Sequence, residues 1–387
     1  MSALAVSQRL ATLEASPTLA LAAKAKALLK EGKPVLDFTA GEPDFPTPAP
    51  VKQAAIDSIN ANQTRYTPAS GIPELRTAIA GKLSQRLGVT YEAGDVIVSC
   101  GAKHSLFNAL QALCQPGDEV LVFSPFWVSY PPLISLSGAT PVIVPTHERD
   151  GFQPSLAAVS KALTSKTKAI ILNSPSNPTG AVVAEPPLRD LARLALERKL
   201  AVISDEIYDE LVFPPHQARS ILQVEPKLRD QAIIVNGVSK SYSMTGWRIG
   251  YAAGPRAVMT AIDAFQSHAT SNPTSISQYA ALAALRGDQR DLATMRQAFQ
   301  ERRDLLVDGL NTLPRLSCFK PGGAFYAWCN VSKLGVPANI AKQWLEQSFI
   351  AVVPGEGFGS TEHVRFSFAT GADKIREALD RLKRILT

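Results

Sequence analysis

Between residues 95 and 252 short apolar runs alternate with amphipathic helical patterns, and this alternation narrows the possible folds more than any other feature of the chain. The runs lie at 96–99, 120–123, 141–144, 169–172, 201–204, 233–235 and 249–252. Strands that are apolar on both faces must be covered on both, and a parallel neighbour requires a crossover long enough to hold a helix. The pattern predicts an α/β architecture with a mainly parallel sheet covered by helices on both faces. Ligands of such sheets collect outside the carboxyl ends of the strands, so a site is expected among the residues that follow each run.

The flanking segments read differently. Residues 1–45 predict a helical arm at 19–31 and an extended piece at 35–38, followed by the proline-rich turn AGEPDFPTP at 40–48, which marks a boundary. Helices are expected at 49–61 and at 72–87, the second from the spacing of Leu75, Ile79 and Leu83. After Gly254 and Pro255 one long helical region is expected to run to about 285. A further helix carries Arg296, Arg302 and Arg303, whose charges read as a solvated face. Expected strands at 324–329 and 363–368, mixed with helices at 337–348 and 371–386, suggest a separate α+β unit, and the glycine-rich GEGFG at 355–359 reads as a loop.

A chain of 387 residues is expected to form two domains or slightly more, and 45% hydrophobic with 19% charged residues is the composition of a soluble globular protein. The net charge is +6, but Lys and Arg are scattered without a block of like charges. No nucleic-acid surface can be read from that, whereas acidic ligands suit it. Cys100, Cys114, Cys318 and Cys329 form no CxxC pair and no ligand-like spacing with the five histidines. They read as buried reduced thiols, with no metal site and a cytoplasmic setting. Residues 1–16 lack a signal-peptide pattern, and no apolar stretch approaches the ~20 residues of a membrane span.

Chemistry-bearing residues follow the apolar runs. The run ending at Val235 leads into NGVSKSYSMTGWRIGY (236–251), in which small neighbours surround Lys240 and Arg248 follows eight residues later. A lysine held at a strand end and partly desolvated can attack a carbonyl, and an arginine fork can clamp a phosphate. At 99–104 a strand passes through Gly101 and Ala102 into a helix whose first backbone N–H groups suit a phosphate. The stretch NSPSNPTG (173–180) presents the Asn177 amide from a proline-stiffened turn, and DEIY (205–208) places the carboxylate of Asp205 near the phenol of Tyr208 at a strand terminus. A carboxylate buried there needs a cationic partner.

Together these segments, from Gly41 to Arg365 and in this order, resemble the class I pyridoxal-phosphate (PLP) aminotransferases. The resemblance implies PLP fold type I, with a large cofactor domain over residues 46–285 and a smaller α+β domain built from both termini, 1–45 and 286–387. It implies that Lys240 carries the cofactor, that Asp205 partners its pyridine nitrogen, and that Tyr208 and Asn177 donate to its 3-oxygen. Trp127 resembles the aromatic that stacks on the ring. Gly101, Ala102 and Arg248 resemble the phosphate cup, with Tyr66 reaching the phosphate of a neighbouring subunit in a homodimer with shared active sites. Arg365 resembles the arginine that binds the substrate α-carboxylate, with Gly41 nearby. In one departure, Gly237 stands where a phosphate-binding hydroxyl is often found, leaving Ser239 as the substitute.

The family works by a ping-pong exchange of an amino group between amino acids and 2-oxo acids. Lys103, in the Gly101–Ala102 turn, resembles the lysine that takes a distal carboxylate in one subgroup of aspartate aminotransferases. That implies aspartate and glutamate as donors, with oxaloacetate and 2-oxoglutarate as acceptors. Thr18 resembles a position found in prephenate-using members, which makes prephenate the second acceptor, and a broad alanine or aromatic specificity is the remaining transaminase reading. A PLP lyase of the same fold could use the same residues. A ligand-sensing regulator would need an added DNA-binding segment, for which 2–31 is too short, and a silent binding module is disfavoured because every chemical position is filled.

Overall fold

Seven strands form one sheet, and its edge gathers the segments that carry the candidate chemistry. The computed structural model describes residues 6–11, 13 and 17–386, with the backbone alone for Gln8, Arg9 and residues 17–22. In chain order the strands are β1 (Leu36–Asp37), β2 (Val96–Ser99), β3 (Glu119–Ser124), β4 (Thr140–Pro145), β5 (Thr167–Asn173), β6 (Ala201–Asp205), β7 (Ala232–Gly237), β8 (Gly250–Ala253), β9 (Ser317–Phe319), β10 (Tyr326–Asn330), β11 (Ile350–Ala351), β12 (Val353–Pro354) and β13 (His363–Ser367). The large sheet has the order β2-β8-β7-β6-β5-β3-β4.

Successive side chains point to opposite sides, and the apolar runs of the inner strands are covered on both faces; at the edge, β4 departs from the expectation, with Ile143 exposed. Val96, Val98, Ile170, Leu172 and Ile234 pack with the helices Pro73–Leu87, Glu185–Arg198 and Ser275–Arg286. Ile97, Val120, Val122, Ile171 and Val235 pack with Ala102–Leu113 and Arg256–Ala269 on the other side. Leu75, Ile79 and Leu83 are buried along one stripe of their helix, each contributing about 1.5–3 kcal/mol by leaving water. Truncating Leu83 to alanine would cost about 2–5 kcal/mol.

β8 is the one reversed strand, antiparallel to both β2 and β7. The connection from 238 to 249 therefore leaves and re-enters the sheet at the same edge. Lys240 follows the carboxyl end of β7 while Arg248 precedes the amino end of β8, so both stand on the ligand side. An apolar run does not encode its own direction, and the sequence pattern could not distinguish this strand from its parallel neighbours.

The second sheet is antiparallel, with order β12-β13-β10-β9, and packs with the helices Arg290–Asn311 and Ala372–Leu386. β1 pairs in parallel with β11, tying the N-terminal arm to the C-terminal elements. The helix Pro17–Lys30 precedes it.

Several expectations are corrected. The helical region after Pro255 is broken into Arg256–Ala269 and Ser275–Arg286. Pro273 lies in the break and disfavours helix in the residue before it. The helix Arg290–Asn311 does not turn all its arginines to water. Arg303 is buried, donates to Pro321 O at 3.1 Å and lies 4.9 Å from the Phe213 ring. Arg302 pairs with Asp44 at 2.7 Å and stacks over Phe45. Of Arg296, Arg302 and Arg303, Arg296 alone is exposed as expected. Residues Gly355–Phe358 form a short 3-10 turn in place of a loop. β10 starts at Tyr326 because Ala324 adopts φ 57°, which ends an extended run. Cys318 and Cys329 are buried opposite each other on β9 and β10, whereas Cys100 and Cys114 are only half-buried; all four are free.

Candidate active site

A cleft of about 490 Å³ opens at the carboxyl edge of the large sheet, where the second sheet faces it. Gly41, Ala102, Lys103, Trp127, Asn177, Asp205, Tyr208, Ser239, Lys240, Arg248 and Arg365 all line it. Sequence neighbours are not what unites them. Lys103 comes after β2, Trp127 after β3, Asn177 after β5, Asp205 and Tyr208 at the end of β6, Lys240 after β7, and Arg365 from β13 of the other sheet.

Asp205 is the last residue of β6 and is 3% exposed. Tyr130 donates to its Oδ2 at 2.7 Å and the backbone N–H of Ile207 donates to Oδ1 at 3.2 Å. Burial nevertheless pushes the carboxyl up to about 6, the two donors pulling it back only partly. A carboxylate so placed gains from a cation brought into the cleft.

Lys240 Nζ donates to the carbonyl of Gly41 at 2.6 Å and lies 5.9 Å from the Phe325 ring centre. Burial lowers its pKa to about 8, with Glu42 opposing and Arg248 and Arg365 adding to the shift. Near neutral pH a useful fraction is therefore free amine, the nucleophilic form.

The phosphate-like end is built from close backbone approach. A Cβ on Gly101 would sit 2.5 Å from Arg248 Nη2, and one on Gly250 would sit 2.1 Å from the N of Ala102. Glycine at both positions brings β8 and Arg248 against the start of the helix Ala102–Leu113, whose first N–H groups have no partner within the helix. The Arg248 guanidinium is held by the carbonyls of Thr245 at 2.9 Å and Cys100 at 3.4 Å. Gly237 also has a structural reason: a Cβ there would meet Ile249 O at 2.9 Å and Gly250 Cα at 3.0 Å. A side chain at 237 would require the backbone of Ile249 and Gly250 to shift, while Ser239 is buried at the cleft.

At the opposite end Arg365 is 3% exposed. It donates from Nη1 to Asn177 Oδ1 at 2.9 Å and from Nη2 to Thr39 O at 3.0 Å, and lies 4.4 Å over the Tyr326 ring. Its buried Nε has no partner. Burial lowers its pKa. Because Asn177 spends its oxygen on Arg365, its NH2 is the half left to donate. The Asn177 turn is tied to β6 through Asn173, which accepts from Asn177 N at 3.0 Å and donates to Asp205 O at 3.0 Å. The Lys103 ammonium sits 4.9 Å from the centre of the Trp127 ring, and burial, then Arg248, lower its pKa.

Three expected site residues stand apart. Gly101 lies beneath Arg248 and does not itself line the cleft. Tyr66 is 90% exposed and does not enter the cleft of its own chain. Thr18 lies on the helix Pro17–Lys30, and its side chain is outside the described residues. Others were missed. Tyr130 holds Asp205, and Tyr326 meets Tyr208 hydroxyl to hydroxyl at 3.0 Å. Lys26, Thr39 and Thr245 also line the cleft. Tyr130, three residues after Trp127 and within the same turn, could have been found by its neighbourhood; Tyr326 in an apolar strand carries no such signal.

The donor set fits a planar, anionic, phosphorylated cofactor: an amine, a buried carboxylate, a phenol and an amide around one cleft, with a helix start and an arginine at one end. Among the described residues no cluster of His, Cys, Asp and Glu could hold a metal, and no helix is long and apolar enough to cross a membrane.

Residues 33–382 match the family model described as aminotransferase class I and II. The chain is 43% identical to the aspartate aminotransferase of Geobacillus stearothermophilus, covering 98% of each. It is 43% identical to the aspartate/prephenate aminotransferase of Cereibacter sphaeroides, again covering 98% of each. Its fold superposes on the aspartate aminotransferase of Thermus thermophilus with maleate at a TM-score of 0.96, with 41% identity and coverage of 99% of this chain and 100% of the other. A mainly parallel sheet, a second antiparallel sheet and a full-length match in sequence and structure lead to one conclusion: the chain belongs to the class I and II aminotransferases.

Proposed function

We propose that this aminotransferase uses PLP carried on Lys240 to move the amino group of aspartate to 2-oxoglutarate. The observation that carries the reading is the convergence on one cleft of Asp205 from the end of β6, Lys240 and Arg248 from the connection between β7 and β8, and Arg365 from β13. Residues 46–285 hold the cofactor and contribute Lys103 to the substrate side, and residues 1–45 with 286–387 add Lys26, Gly41 and Arg365 there. Bound PLP supplies an electron sink for the bond being broken at the substrate Cα.

Each residue has a task suited to its surroundings. Asp205, ionised above about pH 6, pairs with the pyridine nitrogen and keeps it protonated. Tyr208 and the free NH2 of Asn177 donate to the 3-oxygen, and Trp127 covers a ring face. Arg248, the Gly101–Ala102 turn, Lys103 N–H and Ser239 receive the phosphate. Arg365 binds the substrate α-carboxylate in a fork that lysine cannot reproduce. Lys240 Nζ, once released by the incoming amine, would be the base that takes the proton from the substrate Cα and delivers it to C4′ of the bound cofactor.

Aspartate is favoured by the lysines that face the cleft, Lys103 and Lys26, which give a second carboxylate a counter-charge. The relatives named aspartate aminotransferase and the neighbour solved with maleate, a dicarboxylate, support the same reading. The relative named aspartate/prephenate aminotransferase makes prephenate the second acceptor, with Thr18 as its candidate contact. Tyr66, large, aromatic and exposed, is suited to reach the phosphate of a second subunit in a homodimer. Four free cysteines suit a reducing cytoplasm.

A panel of amino donors against 2-oxo acids tests the substrate assignment. Aspartate with 2-oxoglutarate is expected to give the highest kcat/KM; a preference for alanine or aromatic donors would remove the dicarboxylate assignment, and release of a 2-oxo acid without any transfer to an acceptor would indicate a lyase.

A further inference from the structure

The Tyr208 hydroxyl has a buried companion that none of the proposed roles explains. Tyr326, the first residue of β10, is 1% exposed, and its Oη lies 3.0 Å from Tyr208 Oη. Burial raises the pKa of both phenols, so each keeps its hydrogen in the working range. The pair thus holds two hydrogens and one mutual bond. One hydrogen fills the bond and the other must point elsewhere.

The surroundings decide which. The Tyr326 ring lies beneath the Arg365 guanidinium at 4.4 Å, so it is clamped from the side of the second sheet. Tyr208 stands at the end of β6 beside Asp205. If Tyr208 is to donate to the 3-oxygen of the cofactor, as proposed above, only Tyr326 can supply the hydrogen of the mutual bond. A hydroxyl that accepts one hydrogen bond becomes a stronger donor in the next.

We propose that Tyr326 is a positioning residue that acts through Tyr208: its hydroxyl donates to Tyr208 Oη, turns the Tyr208 hydrogen toward the cofactor 3-oxygen and strengthens that contact. This rests on the assignment of PLP to the cleft. It also makes β10 of the second sheet a part of the cofactor site, since the same side chain touches Arg365 through its ring and Tyr208 through its oxygen.

The inference predicts how the bound cofactor titrates. A well-stabilised 3-oxygen carries negative charge more readily, which lowers the pH at which the absorption of the bound cofactor changes. Tyr326→Phe keeps the ring under Arg365 and removes only the hydroxyl. Its spectral midpoint is expected to rise by roughly 0.3 to 1 pH unit, the scale of one neutral hydrogen bond, with KM for amino acids little changed.

The decisive arm is the same substitution in a Tyr208→Phe background, where the midpoint should not move further. No shift in the single variant, or an equal shift in both backgrounds, would overturn the inference while leaving the cofactor assignment intact. A wild-type protein whose cleft takes up no PLP would instead overturn the assignment beneath it. Thermal unfolding of the apoproteins, expected to differ little between the wild type and the Tyr326→Phe variant, separates the effect from a loss of packing.

Discussion

Tyr130 Oη donates to Asp205 Oδ2 at 2.7 Å, a bond between the helix Tyr130–Leu136 and the end of β6. The phenol fixes the direction of a carboxylate that burial makes costly. Asp205 is thereby held as an acceptor aimed into the cleft before any cation arrives.

The buried charge destabilises the apoprotein in a defined pH window. The folded carboxyl titrates at about 6, above its ordinary value near 3.8, so the folded state holds its proton where the unfolded chain has lost it. The penalty is absent below about pH 4 and complete above about pH 6. Asp205→Asn, which can still accept from Tyr130, should therefore raise the melting temperature of the apoprotein at about pH 7.5, with the gain shrinking toward about pH 4. The same variant should lose roughly 2 to 4 kcal/mol of barrier lowering, the scale of a preorganised charge, while retaining most of its PLP. Near wild-type turnover would remove Asp205 from its role.

Arg365→Lys should raise KM for amino-acid and 2-oxo-acid substrates alike, because both present the same carboxylate. Lysine cannot keep the contacts to Asn177 and Thr39 together, so the orientation of Asn177 is lost as well. Steady-state kinetics on both half-reactions checks this, and an effect on one substrate alone would place the α-carboxylate elsewhere.

The strands of the large sheet were legible because residues such as Val120, Leu121 and Val122 are apolar on both faces, and only a doubly covered sheet accommodates that. The cleft-lining residues were legible through their order at the strand ends and through the family resemblance. What could not be read depended on contacts between distant segments. The reversed direction of β8 comes from pairing with β2 and β7. Arg302 and Arg303 left the solvent because Asp44, Phe45 and Phe213 arrive from elsewhere in the chain. Tyr326 looked like core until the fold set its hydroxyl against Tyr208.

Lys103→Ala should lower kcat/KM for aspartate and 2-oxoglutarate by ~1.5 to 3 kcal/mol, the worth of a charge-assisted bond, and should spare alanine. Lysine at the start of a helix is disfavoured by the helix dipole unless an anion offsets it. Comparing aspartate with alanine in both proteins is the check. An equal loss for the two donors would make Lys103 a contributor to the cofactor end, by way of the Trp127 ring it overlies.

Reduction of the PLP-loaded protein with borohydride, followed by peptide mapping, tests the assignment of Lys240 most directly. The label is expected on the peptide containing Lys240 alone, and Lys240→Ala should take no label and transaminate no substrate. A label on Lys103, Lys26 or any other lysine, or normal turnover by Lys240→Ala, would contradict it.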